Sequence, residues 1–194
     1  MKDFQPKGWY DRRRLPHFDD GSSFQFITTR LADSVPLSVI DRWQMELEHL
    51  GDQGKLEMRK RIEKYLDKGH GECHFKKRQV AEIVRDSLFF NDGKKYSLNS
   101  WVIMPNHVHV LLRQCEGISL EEITQAFKSY TAHKINKLLG RRGEFWQAEV
   151  FDRYIRDRRH CGNVIRYIEN NPVKAGLCES KVDWEFGSAW KGRI

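Results

Sequence analysis

The chain has 194 residues, 34 of them Lys or Arg and 27 Asp or Glu, which gives a formal net charge of +7 at pH 7. This length suffices for one well-buried domain with additions, and the basic excess favours a polyanionic partner, although a basic enzyme without a nucleic-acid role has the same composition. No apolar run approaches the roughly 20 residues that span a bilayer and no signal-peptide core is visible, so we expect a cytoplasmic protein without membrane contact.

The first part of the chain predicts an arm, a strand and a helical insert. Residues 1–22 mix aromatic, basic and turn residues without periodicity and predict an N-terminal arm. Residues 23–32 alternate, which predicts a strand with Phe26 and Thr28 on one face and Ile27 on the other. Residues 38–66 have helical spacing and predict two helices broken near Gly51, within an insert of about residues 38–78.

A helix, a strand region and a second helix follow. Residues 80–90 carry apolar side chains at helical spacing and end at an Asn-Asp-Gly turn. Residues 96–112 predict a hairpin-like pair of strands or one long strand interrupted at Pro105. The next helix begins at Ser119, because Ser at the N-cap and Glu122 three residues later form a capping box, and it ends at Gly140.

The sequence also predicts the buried face of the helix that begins at Ser119, and two further elements after it. Ile123, Phe127, Tyr130 and Leu138 are the candidates for the buried face. Residues 145–156 predict a strand and residues 159–171 a helix. Pro172 disfavours helical conformation at the residue before it, so we expect the helix to end there.

Two histidines in the predicted strand region share one face. His107 and His109 are two residues apart, and side chains two apart in a strand point the same way. Val108, Val110 and Leu112 occupy the other face, as expected for a strand with a buried back. Neutral imidazole is the commonest side-chain metal ligand, so the pair predicts half of a metal site. A polar pair facing solvent is the ordinary alternative.

A tyrosine and an asparagine share one face of the last helix. Tyr167 and Asn171 are four residues apart, which places both side chains on the same side of its final turn. A core tyrosine followed by an asparagine cap is the alternative. Together with the histidine pair, they provide two imidazoles, an amide oxygen and a phenol. A divalent metal and a covalent nucleophile require such a set to cleave a phosphodiester.

Several motifs carry a resemblance to a known family. They are MPNHVHVLL at residues 104–112, FWQ at 145–147, FDRYIRD at 151–157 and YIENNPVKAG at 167–176, while FITTRL at 26–31 is similar to the family's first strand. The chain thereby resembles the single-tyrosine HUH transposases, and within them the REP-associated tyrosine transposases of bacteria. The motifs extend from about residue 20 to residue 178 in the family's order. The smallest family members lack the insert, and related insertion-sequence transposases carry Gln at the position of Asn171.

The resemblance implies a fold and a chemistry. The implied fold is α+β and ferredoxin-like (RRM-like), with an antiparallel sheet and helices on one face, in a single domain over residues 1–194. The implied catalytic residue is Tyr167, with Mg²⁺ or Mn²⁺ held by His107, His109 and Asn171, and with strand transfer through a 5′-phosphotyrosine. The implied partner is single-stranded or hairpin DNA with palindromic repeats, bound by a monomer or homodimer that takes no small-molecule substrate.

Basic side chains cluster near these motifs. No acid occurs in residues 127–143, and further basic residues continue toward Tyr167. A phosphate backbone is the natural partner of such a surface, while a solvated helix face is the alternative. The predicted DNA-binding residues are Lys128, Lys134, Lys137, Arg141, Arg142, Arg153, Arg156 and Lys174.

Two other functions and two other tyrosines compete with this interpretation. A non-catalytic module for single-stranded nucleic acid would stack bases on aromatic side chains such as Phe26 and Trp101. A metal hydrolase would use the histidines to activate water, and Tyr167 would only orient the substrate. Tyr130 fits the helix core, and Tyr154 stands as the next candidate for the nucleophile.

Overall fold

The computed structural model describes residues 6–12 and 15–192. In chain order, its strands are β1 (Gly8–Arg12), β2 (Leu15–Asp19), β3 (Phe24–Arg30), β4 (Tyr96–Met104), β5 (His107–Gln114) and β6 (Phe151–Tyr154). Its helices are α1 (Leu37–Leu47), α2 (Gly51–Asp67), α3 (Arg78–Asn91), α4 (Leu120–Leu139) and α5 (Arg158–Lys174). No helix in this described part of the chain combines the length and apolar character that crossing a bilayer requires.

Four strands form one antiparallel sheet in the spatial order β4-β5-β3-β6. The chain order β3, α3, β4, β5, α4, β6 produces this arrangement, with β3 and β5 in the centre and β4 and β6 at the edges. The predicted ferredoxin-like α+β fold is therefore confirmed. β4 and β5 are a hairpin in which Met104 pairs with His107, so the strand pair is the correct alternative for residues 96–112.

Helices lie on both faces of the sheet, and in this respect the prediction of helices on one face is wrong. α3 and α4 pack with Val108, Val110 and Leu112 of β5 on one face. α5 has its own apolar stripe, which includes Val164 and Ile168, and it must bury this stripe against another surface. It does so on the opposite face, which is the face that carries the two histidines.

The predicted ends of α4 are confirmed. Its predicted buried face is confirmed only in part. The Ser119 side chain accepts a hydrogen bond from the Glu122 backbone N–H, and Gly140 ends the helix with a φ of 61°. Ile123 and Phe127 are buried as predicted. Tyr130 is 52% exposed and Leu138 46% exposed, because the buried stripe continues through Thr131 and Ile135 instead.

The last strand is shorter, and the last helix longer, than predicted. Backbone hydrogen bonds tie Phe145 and Gln147 to the end of β3, but regular pairing resumes only at Phe151, so the strand does not cover residues 145–156. α5 continues through Pro172 to Lys174, which makes the prediction that it ends at Asn171 wrong. Pro172 has no backbone N–H, so the helix lacks one hydrogen bond in its last turn but is not ended by the proline.

The N-terminal region and the insert form distinct additions to the sheet. Instead of an irregular arm, residues 8–12 and 15–19 form a hairpin that packs beside β6, where Trp9 and Phe18 contact the Tyr154 ring. The insert forms α1 and α2, separated by a 3-10 turn over Glu48–Leu50, close to the predicted break. Its apolar residues pack with Phe151 of β6, so α2 covers part of the face that carries the histidines.

Candidate active site

The two histidines face each other inside the protein. His107 and His109 are each 1% exposed, their ring centroids lie 4.6 Å apart, and their Nε2 atoms are separated by 3.1 Å. The shared face predicted from the strand spacing is confirmed. Their burial beneath α5 contradicts the alternative of a pair that faces solvent.

The outer nitrogen of each imidazole has a partner that orients the ring. His107 Nδ1 lies 2.8 Å from the Asn106 Oδ1 atom. The Asn106 Nδ2 group donates to the backbone carbonyls of Leu66 and His70, so its Oδ1 accepts and His107 donates from Nδ1. The lone pair of neutral His107 is therefore on Nε2. His109 Nδ1 lies 2.8 Å from the Thr28 hydroxyl, which holds the second ring in the same way.

Both rings are neutral at physiological pH. Burial lowers the pKa of His107 to about 3, and the nearby Lys174 ammonium contributes to this shift. Burial also lowers the pKa of His109, with smaller contributions from His107 and Lys174. Neutral His107 directs the lone pair of its Nε2 toward His109, and neutral His109 can direct its own Nε2 lone pair to the same point when its Nδ1 donates to the Thr28 hydroxyl. This donor set suits a divalent cation bound by imidazole.

α5 brings the predicted tyrosine to the histidine pair, and the predicted asparagine lies beside the Tyr167 hydroxyl. The Tyr167 ring centroid lies 5.4 Å from that of His109 and 5.8 Å from that of Phe26. Asn171 is 1% exposed, and neither its Oδ1 nor its Nδ2 has a hydrogen-bond partner among the described residues. A buried amide without partners is unfavourable by about 1–3 kcal/mol. Its oxygen is therefore available as a third ligand, and the residues present fit a divalent metal ion.

The hydroxyl of Tyr167 lies in an acidic environment. Burial raises its pKa, and the carboxylates of Glu63 and Asp67 raise it further. Glu63 and Asn171 approach the hydroxyl, but it completes no well-formed hydrogen bond within the described part of the chain. Tyr167 is therefore a protonated phenol at neutral pH, and it needs a base to act as a nucleophile.

The insert contributes charged residues that the sequence did not indicate as part of the site. α2 places Glu63 against the Tyr167 hydroxyl, and Asp67 Oδ2 accepts a hydrogen bond of 2.7 Å from Lys174 Nζ. That ammonium group also lies 5.7 Å from the centroid of the Tyr167 ring. Burial raises the pKa of Glu63. α2 contains charged residues along most of its length, so no sequence signal distinguishes the two that face the site. Asn106 could have been found, since it directly precedes His107.

The structure divides the predicted DNA-binding residues between two sides of the sheet. Arg153 pairs with Phe26 in the sheet register and Arg156 follows shortly after β6, so both lie near the site, as does Lys174. The other five belong to α4 or to the segment directly after it, across the sheet from Tyr167. Lys128 Nζ donates to the Gln147 and Ala148 carbonyls, so this ammonium group already has two acceptors within the protein, and its contact with DNA stays a prediction. Lys134, Lys137 and Arg142 are exposed, and Arg141 lies against His74 and Phe145.

Most of the other aromatic residues that were considered as the nucleophile or as a stacking platform lie away from the histidine pair. Tyr154 pairs with Gln25 in the sheet register, so it points to the face opposite the histidines. Tyr130 is exposed on α4, across the sheet. Trp101 is 7% exposed within the core beneath α3 and α4, where a base could not stack on it. Phe26 alone of the residues named for stacking lies at the site.

Comparison with known proteins relates this arrangement to transposases. A family model described as "Transposase IS200 like" matches residues 74–171, which are 98 of the 194 residues. A REP-associated tyrosine transposase of Escherichia coli is 26% identical over 114 residues, which are 56% of this chain and 59% of that protein. A Haemophilus influenzae protein assigned to the same group is 29% identical over 96 residues, which are 44% of this chain and 54% of that protein.

A solved structure shares the fold. It is a REP-associated tyrosine transposase bound to a REP hairpin, and it has a TM-score of 0.52 and 19% sequence identity over 95% of this chain and 92% of that chain. The chain spans little more than half the length of the two curated relatives. The family model nevertheless covers more than half of this chain and includes both histidines, Tyr167 and Asn171. The chain therefore belongs to the family of IS200-like transposases.

Proposed function

We propose that this protein cleaves and rejoins single-stranded or hairpin DNA through a covalent bond to Tyr167. The observation that supports the proposal most directly is the convergence of a tyrosine from α5 on two neutral histidines of β5, with a ring separation of 5.4 Å between Tyr167 and His109. Membership of a transposase family agrees with cleavage of DNA. The structural relative bound to a REP hairpin supports a hairpin of palindromic sequence as the substrate.

A divalent metal, Mg²⁺ or Mn²⁺, would be held by His107, His109 and Asn171. When bound there, it would polarise the scissile phosphate and offset the negative charge of the transition state. Thr28 and Asn106 keep the two imidazoles in the orientation that this requires. The amide oxygen of Asn171 would thereby gain the partner that the described residues do not provide.

The covalent step exchanges one phosphoester bond for another. The Oη atom of Tyr167 attacks phosphorus, the Oη–P bond forms, and the bond between phosphorus and the 3′ oxygen breaks. Glu63, which lies beside the hydroxyl, takes the phenolic proton. The departing 3′ oxygen takes a proton from water, so the products are a 5′-phosphotyrosine and a DNA strand with a free 3′-hydroxyl. An incoming 3′-hydroxyl reverses the exchange and joins strands without a nucleoside triphosphate.

One chain supplies every side chain named in this reaction, which supports activity as a monomer. His107, His109, Tyr167 and Asn171 meet within the single chain, and so does Glu63 of the insert. The two curated relatives are bacterial proteins and the proposed substrate is DNA, so the proposal includes a cytoplasmic location.

The variant Tyr167→Phe tests the covalent reaction. Phenylalanine keeps the ring and its packing against Phe26 and His109 but removes the attacking oxygen. The DNA is a hairpin with single-stranded flanks, labelled at its 3′ end and incubated with Mg²⁺ or Mn²⁺. On a denaturing gel, wild type should give a labelled protein–DNA adduct and Tyr167→Phe should give none, while both bind the hairpin.

The same gel separates the alternative functions. Released DNA fragments without an adduct, formed equally by both proteins, would indicate a metal hydrolase. Binding without any cleavage by wild type would indicate a non-catalytic nucleic-acid-binding module. An adduct formed by Tyr167→Phe would place the nucleophile elsewhere. Removal of divalent metal with a chelator should abolish the adduct in wild type, and re-addition should restore it.

A further inference from the structure

A buried arginine near the site has hydrogen-bond donors without acceptors. Arg30, the last residue of β3, is 1% exposed, and its Nε and Nη1 atoms have no hydrogen-bond partner among the described residues. Burial lowers its pKa to about 10, so the guanidinium remains charged at neutral pH, and the Glu149 carboxylate opposes this shift. Glu149 offsets part of the positive charge of Arg30. What the Arg30 guanidinium lacks is therefore acceptors for its N–H groups rather than a counter-charge. Such a group is unfavourable in a protein interior unless water or a ligand in the adjoining cavity accepts its hydrogen bonds.

Arg30 lines a cavity between the insert and the sheet. The cavity has a volume of about 230 Å³, and its wall combines apolar side chains from α1, α2 and β6 with the polar side chains of Gln44, Glu48, Lys55 and Glu149. The guanidinium carbon lies 5.7 Å from the centroid of the Phe151 ring. The volume is below the range of about 300–1,000 Å³ typical of drug-sized ligands, so it suits a ligand with a single ring system. The apolar residues of the wall are Ile40, Leu47, Met58, Ile62 and Phe151.

The cavity adjoins the candidate active site. A second cavity of about 260 Å³ lies under α2 and shares Ile62 and Phe151 with the first. Thr28, which holds His109, and Glu63, which faces Tyr167, line this second cavity. The two cavities therefore lie side by side beneath α2, and the Arg30 cavity is a near neighbour of the reacting groups. A DNA strand bound at Tyr167 would have its neighbouring nucleotides close to these cavities.

We infer that the Arg30 cavity receives one unstacked base, preferably guanine, from the single-stranded DNA beside the cleavage site; this rests on the DNA substrate proposed above. The apolar wall and the Phe151 ring suit the flat face of a base. A phosphate group would lose its hydration against that wall. Guanine presents the O6 and N7 acceptors that arginine contacts most often, and these would complete the donors of Arg30.

The test combines changes in the protein with changes in the DNA. Binding is measured for hairpins in which each single-stranded flanking nucleotide is replaced in turn by an abasic site. Wild type should bind about 10- to 100-fold more weakly when one particular position is abasic. Wild type should bind a hairpin with guanine at that position more tightly than hairpins with any other base there. Arg30→Met, which keeps the length of the side chain but removes its donors, should bind the intact hairpins about as weakly as wild type binds that abasic hairpin, and should lose little more when the critical base is removed.

Control variants keep the result interpretable. Arg42→Met removes an exposed arginine of α1 that is paired with Glu46, outside the cavity, and should retain the wild-type pattern. Met58→Phe fills the cavity while keeping Arg30, and should also abolish the effect of the abasic site. This second variant decides the matter if Arg30→Met does not fold, which circular dichroism would reveal.

Several outcomes would overturn the inference. They are equal binding of all abasic hairpins by wild type, an unchanged pattern in both cavity variants, and no hairpin binding at all. Binding could instead weaken when a phosphate at the critical position is replaced by a neutral analogue and stay unchanged when the base is removed. That result would show that the cavity binds a phosphate group. A base-dependent pattern without any covalent adduct would sustain the base pocket while refuting the proposed enzyme.

Discussion

At the scale of single residues, the orientation of the histidines depends on side chains outside the pair. Thr28 and Asn106 each contact the outer nitrogen of one imidazole, and each is buried. Thr28 belongs to the neighbouring strand and faces His109 directly in the register. Groups that orient metal ligands in this way typically influence metal affinity or activity by about 10- to 100-fold.

We predict that Thr28→Val weakens the affinity of the site for the divalent metal. Valine keeps the shape and burial of threonine but removes the hydroxyl, so His109 loses its orienting contact. Adduct formation should need about 10- to 100-fold more Mg²⁺ or Mn²⁺ to reach half of its maximum. Thr29→Val is the matched control, because Thr29 is also buried but points to the opposite face of the sheet. Identical metal titrations for both variants would exclude this role of Thr28.

Glu63 provides a second prediction at this scale. Its carboxylate is the proposed acceptor of the Tyr167 proton, and burial raises its pKa toward the range useful to a base. Glu63→Gln should slow formation of the adduct by about 10²- to 10⁴-fold, as expected for loss of a general base, with hairpin affinity kept within a few fold.

Single-turnover measurements at several pH values distinguish this role from a structural one. Glu57→Gln changes an exposed carboxylate on the same helix and should react like wild type. Loss of the base should leave a rate that rises with pH as solvent hydroxide becomes available. An unchanged rate for Glu63→Gln would show that the proton leaves by another route.

At the scale of elements, the two groups of basic residues should affect different steps. α4 presents Lys134 and Lys137 across the sheet from Tyr167, whereas Arg153 and Arg156 lie on the side of the site. A phosphate contact on the far side supports binding but does not position the scissile phosphate. Contacts beside the site support both.

We therefore predict a separation between binding and chemistry. Replacing Lys134 and Lys137 by Ala should reduce the salt dependence of hairpin binding by up to roughly two phosphate contacts while the rate of cleavage of bound DNA stays the same. Replacing Arg153 and Arg156 by Ala should reduce both. Binding is measured over a series of salt concentrations, and the rate is measured at saturating protein. An unchanged salt slope for the α4 variant would assign its lysines to a solvated surface.

At the scale of the whole molecule, the site is complete within one chain. α5 packs on the sheet of its own chain, which brings Tyr167 to His109 without a second copy. If two copies exchanged their last helices instead, each site would combine the histidines of one chain with the tyrosine of the other. A mixture of two inactive variants distinguishes these arrangements.

We predict that His107→Ala and Tyr167→Phe stay inactive when mixed. In a site built from one chain, each variant lacks one essential group and the mixture contains no complete site. Adduct formation is measured after the two proteins are unfolded and refolded together, with wild type treated in the same way as the positive control. Restored activity in the mixture would show that the last helix is exchanged between two copies.

The local features of this protein follow from the sequence by itself. The common face of His107 and His109, the pairing of Tyr167 with Asn171 on one helix face, and the capping box at Ser119 were all predictable. Strand and helix periodicities and cap hydrogen bonds involve residues only two to four positions apart, so local geometry determines them. The motifs that link the chain to transposases lie in these same segments.

The placement of distant segments against one another was decided only by the tertiary structure. α5 crosses to the histidine face, α2 brings Glu63 to Tyr167, and Arg30 is buried beneath the insert. Tyr130, at nearly helical spacing, falls outside the core because the buried stripe is set by the contacts that α4 makes across the sheet. These outcomes depend on the sum of many packing contacts between elements far apart in sequence, and no single segment contains that information.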